Sequence, residues 1–127
     1  MPAFDRSYHP PAPVASVALV HPVSGVRRSP ERGKLDTGAA LTVIPQRLVQ
    51  ELGLTAQAHL WARGYDGNYS RRTVYYVGIV IEGHELPPVR CIAVERESVL
   101  VGRNVLNEFL VTLDGRRLHF ELKPADE

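Results

Sequence analysis

Leu35-Asp36-Thr37-Gly38-Ala39 is the stretch on which the reading of this chain turns. An apolar residue leads into a carboxylate, a hydroxyl, a glycine and a small residue. Asp36 can hold and polarise a water molecule. Thr37 is β-branched and stiff at its first side-chain torsion, and its hydroxyl can donate a hydrogen bond out of a tight loop. Gly38 lets the backbone come close to a partner carboxylate or a substrate and offers an unhindered N–H. Ala39 keeps that approach clear. Taken alone, the pattern also suits a surface turn, because Asp, Thr and Gly are common turn formers.

A second stretch, Val99-Leu100-Val101-Gly102-Arg103-Asn104-Val105-Leu106, adds the weight the first lacks. It reads as an apolar strand, then Gly-Arg-Asn, then a short helix. In this order the two stretches resemble those of the retropepsin-like aspartic proteases. In that family an Asp-Thr-Gly-Ala loop is followed well downstream by an apolar strand, Gly-Arg-Asn or Gly-Arg-Asp, and a short helix. The resemblance runs from about Val17 to Phe120. It implies a mostly β fold, a closed and folded sheet with one or two short helices. It makes Asp36 the catalytic residue in a loop with Thr37, Gly38 and Ala39. Gly102, Arg103 and Asn104 would support that loop.

The chemistry of such a site needs two neighbouring carboxylates. One is ionised and takes a proton from a water. The other is protonated and hydrogen-bonds the peptide carbonyl as it becomes tetrahedral. Two like charges so close cannot both ionise. The chain supplies one Asp-Thr-Gly. Asp66 and Asp114 each precede a glycine in a hairpin turn, and Asp5 and Asp126 lie near the ends. The second Asp36 must then come from a second copy about a two-fold axis. The resemblance implies the same: a homodimer, with Thr37 hydrogen-bonding across the axis. An extended peptide or protein substrate would bind by strand addition. The expected pocket and flap residues are Ala40, Thr42, Val99 and Val101 with Tyr65, Asp66, Gly67 and Asn68. The pocket walls are mostly apolar, which predicts a preference for apolar side chains beside the cleaved bond. A hydroxyl at position 39 could donate to the carboxylate; alanine cannot, so a mildly acidic optimum is expected.

The sequence departs from the family in two places. The residues before the catalytic Asp are usually apolar, whereas here they are Arg32-Gly33-Lys34. Either the strand is short, or Lys34 lies at an edge with its head in water. Viral relatives hold the equivalent of Arg103 with an Asp two residues after the loop's glycine. Ala40 stands there, so Arg103 needs a backbone carbonyl or some other carboxylate. Two further readings remain: the same fold as an inactive dimerisation or peptide-binding module, and an unrelated small β protein with a chance motif.

Along the chain, residues 1–15 are Pro-rich and read as an extended arm across the domain or a partner. The domain proper is 16–122, and 123–127 reads as a frayed tail. Ser16 to His21 is strand-like, and Pro22 to Gly33 is turn-rich. Ile44, Leu48, Val49 and Leu52 make one apolar stripe after Pro45, which predicts a helix over 45–52 ended by Gly53. Gln57 to Arg63 and Ser70 to Glu82 are strands joined through Asp66-Gly67. By position this hairpin matches the family's flap; a plain surface hairpin is the alternative. Trp61, Tyr65 and Tyr69 are candidates to touch substrate or to pack on the hairpin itself. Pro87-Pro88 breaks the next segment, and 89–94 is a strand. A helix is expected over 103–109, then a hairpin of 110–113 with 118–122 through Asp114-Gly115.

At 127 residues the chain is one domain, and 44% hydrophobic residues are enough for a modest core. A net charge of +1, with arginines in scattered pairs, gives no footprint for nucleic acid or an anionic membrane. The one cysteine, Cys91, excludes an internal disulfide and sits in an apolar run as a buried thiol. The five histidines show no ligand spacing, so no metal and no cofactor are expected. No apolar run is long enough to span a membrane, and no signal pattern opens the chain, so a cytoplasmic protein is expected.

Overall fold

The computed structural model describes residues 1–64 and 66–125. Its nine strands are β1 (Val14–Val20), β2 (Glu31–Leu35), β3 (Thr42–Pro45), β4 (Ala58–Arg63), β5 (Tyr69–Ile81), β6 (His84–Val94), β7 (Val99–Val101), β8 (Phe109–Asp114) and β9 (His119–Pro124). The two helices are α1 (Gln46–Leu52) and α2 (Arg103–Leu106). Seven strands run in the order β1-β2-β7-β3-β6-β5-β4, and β1 also pairs with β5. That second pairing closes β1, β2, β7, β3, β6 and β5 into a barrel, with β4 attached to β5. The expected closed, mostly β fold with two short helices is what forms.

The long strand β5 makes this possible. Its first residues, Tyr69 to Thr73, pair only with β4 and project as a hairpin. Its second half runs beside both β1 and β6. Tyr75, Val77, Ile79 and Ile81 turn inward to meet Val17, Leu19, Ile44, Val99, Val101 and Val105 in one core. Burying side chains of this size stabilises by about 1.5–3 kcal/mol each, which is what offsets the ordering of so many short strands.

The polar lead-in to Asp36 has a packing explanation. β2 lies between β1 and β7, so Lys34 is not at a sheet edge and the strand is not truncated. Alternation turns Gly33 and Leu35 inward and Arg32 and Lys34 outward. A Cβ on Gly33 would stand 2.6 Å from one Val17 methyl and 3.0 Å from one of Val101. Glycine lets those two valines close over the backbone, supplying the apolar cover that side chains of β2 do not. Outside, Arg32 pairs with Asp5, and the Lys34 ammonium stands 5.4 Å from the Tyr8 ring centre.

Residues 1–13 lie across the domain and do not form a simple extended arm. Asp5 and Ala12 exchange both backbone hydrogen bonds. Phe4 donates to the Leu118 carbonyl and Phe120 to that of Pro2, so the arm runs beside β9. Its Phe4 ring sits 6.5 Å from that of Phe120, the largest fully buried side chain.

Three element boundaries differ from expectation. Pro87-Pro88 does not break the strand, because β6 takes up both prolines in a bulge. Val77 pairs with Val89 and Ile79 with Leu86, so the two prolines face Gly78 alone, where no ladder N–H is required of them. The helix α2 stops at Leu106 and not at 109, because Phe109 is drawn into pairing with Pro124. For the same reason β9 continues to Pro124 into what reads as a tail, of which Asp126 and Glu127 lie outside the described residues. By contrast α1 forms as expected. Gly53 takes the left-handed conformation at φ 68°, and the Leu54 N–H closes the cap on the Val49 carbonyl. Among the described residues, no helix is long and apolar enough to cross a membrane.

Candidate active site

Asp36 follows directly on β2 and is held from three sides. Its own N–H donates to the Val101 carbonyl of β7 at 2.9 Å, and the Leu35 N–H donates to Pro13 at 3.0 Å. The Gly38 N–H donates to Asp36 Oδ1 at 2.8 Å, folding the carboxylate back under its own loop. A Cβ on Gly38 would lie 3.1 Å from that oxygen, so a side chain there would crowd the carboxylate. Thr37 and Gly38 are exposed at the loop's crest, Asp36 and Ala39 half-buried.

The Gly-Arg-Asn stretch braces this loop through its backbone and side chains together. The Arg103 and Asn104 N–H groups donate to the carbonyls of Ala39 and Ala40 at 2.8 and 3.2 Å. The Arg103 guanidinium reaches the Thr37 carbonyl at 2.8 Å. The acceptor left open by Ala40 is therefore a backbone carbonyl of the candidate catalytic loop. Gly102 lies so close to the Leu41–Thr42 peptide that a Cβ would be 2.5 Å from the Leu41 carbonyl carbon.

Thr42 joins the two stretches and is not a pocket residue. It is fully buried. Its hydroxyl accepts from the Gly102 N–H at 3.0 Å and donates to Asn104 Oδ1 at 3.0 Å. The same Asn104 oxygen accepts from the Thr42 N–H, while Asn104 Nδ2 donates to the Arg90 carbonyl. Every polar atom of this small network has a partner, which is the condition for burying it at little cost.

The other expected pocket residues are partly redistributed. Val99 and Val101 are buried in the core, because they share the inward face of β7. Leu100 between them faces out. It pairs with Val43 across β3 and β7, and these two side chains wall a cleft of about 380 Å³ in front of Asp36, Gly38 and Ala39. Ala40 is exposed but does not border the cleft. The β4–β5 hairpin borders the cleft through its turn end, with Arg63, the last residue of β4, and Gly64. At the tip, Gly67 turns at φ 81°, Gly64 donates to the Asn68 carbonyl, and Asp66 caps Asn68. Asp66 and Asn68 border a neighbouring depression with Gly64, Tyr69, Ser70 and Arg72, which Asp36 does not line. Tyr65 lies outside the described residues. The hairpin meets the Asp36 cleft through the turn end of β4.

Of the wall residues, Val43 and Arg63 were missed from the sequence, and Leu100 was expected only within the run Val99 to Val101. Alternation held the signal: on a strand as short as β7, only one parity can face the cleft, and Val101 is bound into the core. Cys91 is fully buried on β6, and burial pushes its thiol up to about 12, which leaves it inert as a nucleophile. Among the described residues, no three His, Cys, Asp or Glu side chains gather as a metal site.

Comparison with known proteins agrees with this geometry. No curated protein sequence matches the chain at a significant level. Among solved structures, a retropepsin-like aspartic protease from Rickettsia conorii is similar at a TM-score of 0.63. It is 19% identical, with 98% of this chain and 90% of that one covered. The equine infectious anaemia virus protease, solved with the inhibitor HBY-793, gives 0.55 at 19% identity over 76% of this chain and 86% of its own. The simian foamy virus protease gives 0.55 at 14% over 74% and 91%. A family model described as aspartyl protease matches residues 23–106, from before the Asp36 loop to the end of α2. On that match, with the candidate loop and its brace both inside it, the chain belongs to the aspartyl protease family.

Proposed function

We propose that the protein is an aspartic endopeptidase. It hydrolyses peptide bonds with a water activated between two Asp36 carboxylates, one from each subunit of a homodimer. The observation that carries this reading is a half-built site. Asp36 stands at the mouth of a cleft whose described lining contains no second carboxylate. Around it, the exposed Thr37 and Gly38 form a crest suited to meeting its own copy. Thr37 would then bond across the two-fold axis. One carboxylate would take the proton from water and the other would hold the peptide carbonyl. The peptide would lie as an added strand beneath the hairpin, whose tip residues Asp66, Gly67 and Asn68 would close over it on binding. A cytoplasmic location goes with this reading, since the cysteine is a free, buried thiol.

Cleavage of a mixed peptide library, followed from mildly acid to neutral pH over a range of protein concentrations, tests the proposal. Activity should peak at mildly acid pH. Specific activity should fall on dilution, in step with the monomer fraction seen by sedimentation, because a lone subunit carries half a site. Activity per subunit that stays constant in a monomeric sample would refute the two-chain site. An optimum below about pH 3 would refute the assignment of Ala39. A folded dimer that cleaves nothing would favour a peptide-binding module.

A further inference from the structure

The sequence predicts an apolar specificity pocket, but one wall of the cleft is a cation. Arg63, the last residue of β4, borders the cleft together with Asp36, Val43 and Leu100. Its placement follows from the strand register. His59, Trp61 and Arg63 alternate onto one face of β4, opposite Thr73, Arg71 and Tyr69 of β5. The contact of Thr73 Oγ1 with His59 Nδ1 at 3.3 Å confirms that these rows share a face. Further along β5 the same parity carries Tyr75, Val77 and Ile79 into the core. The face that lines the barrel interior therefore continues as the underside of the hairpin.

The charges on that underside are unbalanced. Among the described residues, no carboxylate lies within ion-pair distance of Arg63 or of Arg71. The nearest acidic group of the hairpin, Asp66, is occupied at the tip by Asn68. Arg72 points to the opposite face, opposite Leu60. Arg63 Nη2 lies 3.7 Å from where a Cβ on Gly67 would stand, so the guanidinium sits beneath the tip, at the top of the cleft. The same cleft is walled by the aliphatic side chains of Val43 and Leu100. It pairs apolar surface with a guanidinium fork, which suits an aliphatic stem with a carboxylate at its tip.

We propose that Arg63 is a specificity-determining residue, selecting substrates with a glutamate, or less well an aspartate, next to the cleaved bond. This rests on the endopeptidase reading and replaces the apolar preference with an amphipathic one. The carboxylate accepts charge-assisted hydrogen bonds from Arg63. Val43 and Leu100 cover the methylenes of glutamate, which aspartate lacks in part. A glutamine of the same shape keeps the packing and loses the charge.

Matched peptides carrying Glu, Asp, Gln or Lys at each position flanking the cleaved bond test this. The protein should cleave the Glu peptide about tenfold better in kcat/KM than the Gln peptide at one position. Arg63→Ala should level the two, and Arg63→Glu should turn the preference towards Lys. Arg63 is exposed, so neither variant should unfold. Equal cleavage of Glu and Gln peptides, or a Glu preference that survives Arg63→Ala, overturns the proposal and leaves the endopeptidase reading intact. Binding of the same labelled peptides to the Asp36→Asn protein, read by fluorescence anisotropy, separates the two questions. A Glu preference in binding without cleavage by the natural protein sustains the role of Arg63 and rejects proteolysis. No binding preference and no cleavage rejects both.

Discussion

Asp36→Asn is expected to lower peptide cleavage by at least about 1,000-fold while leaving the fold in place. The substitution keeps the shape of the side chain. The amide oxygen can still accept the 2.8 Å bond from the Gly38 N–H, and the bond from the residue's own N–H to Val101 is untouched. What disappears is the group proposed to take a proton from water. In a homodimer one substitution removes it twice, so no residual carboxylate can stand in. Thermal unfolding should shift by no more than a few degrees, since the side chain is only half-buried and stays bonded. Mixing the natural chain with an excess of the variant should also suppress its activity, as subunits exchange into pairs with one carboxylate. Undiminished activity in that mixture, from chains shown to exchange, would sink the shared site. Full activity of the variant alone would remove Asp36 from the chemistry altogether.

Gly102→Ala should be the most damaging single methyl in the chain. Gly102 has extended backbone, φ −92° and ψ −179°, which any residue can adopt. The obstacle is space. The new Cβ would meet the Leu41 carbonyl carbon at 2.5 Å, its oxygen at 2.6 Å and the Thr42 nitrogen at 2.9 Å. All three are backbone atoms, so nothing can rotate aside. The β7–α2 junction would have to move away from β3, opening the Thr42 hydroxyl bond and the bonds from Arg103 and Asn104 to the loop. A loss of about 3 kcal/mol or more is expected, read as a lower midpoint in urea. Activity should fall further than the folded fraction does, because the loop carbonyls at Ala39 and Ala40 lose their donors. Gly115→Ala is the control. No atom lies within 4 Å of its added Cβ, and its effect should stay within about 0.5 kcal/mol. Equal stability of the two variants would show that the brace is not what holds the loop.

Much of this architecture could be read from local pattern. Asp36-Thr37-Gly38 and Gly102-Arg103-Asn104 carry their meaning in residue type. The α1 stripe and its Gly53 stop obey short-range rules. What escaped the sequence depends on partners distant along the chain. Gly33 looks like a flaw in a strand until Val17 and Val101 are seen to close over it. Thr42 looks like a pocket wall until the Gly102 N–H and Asn104 are found on its hydroxyl. Pro87-Pro88 looks like a stop until Gly78 is set opposite. Arg63 looks like a solvated strand end, because nothing nearby in sequence shows that the underside of its hairpin continues the barrel's inner face.

The strand order also imposes a schedule on the making of the protein. β1 needs β5 to close the barrel, and β2 needs β7, some 65 positions later. The Asp36 loop waits as well, since the donors that hold its carbonyls are at 103 and 104. A chain emerging from the ribosome has its aspartate early and its scaffold late. Until α2 has cleared the exit tunnel, the nascent polypeptide holds a floppy Asp-Thr-Gly segment with nothing to aim it. The order of synthesis thus leaves the proposed active site unformed until the molecule is nearly whole.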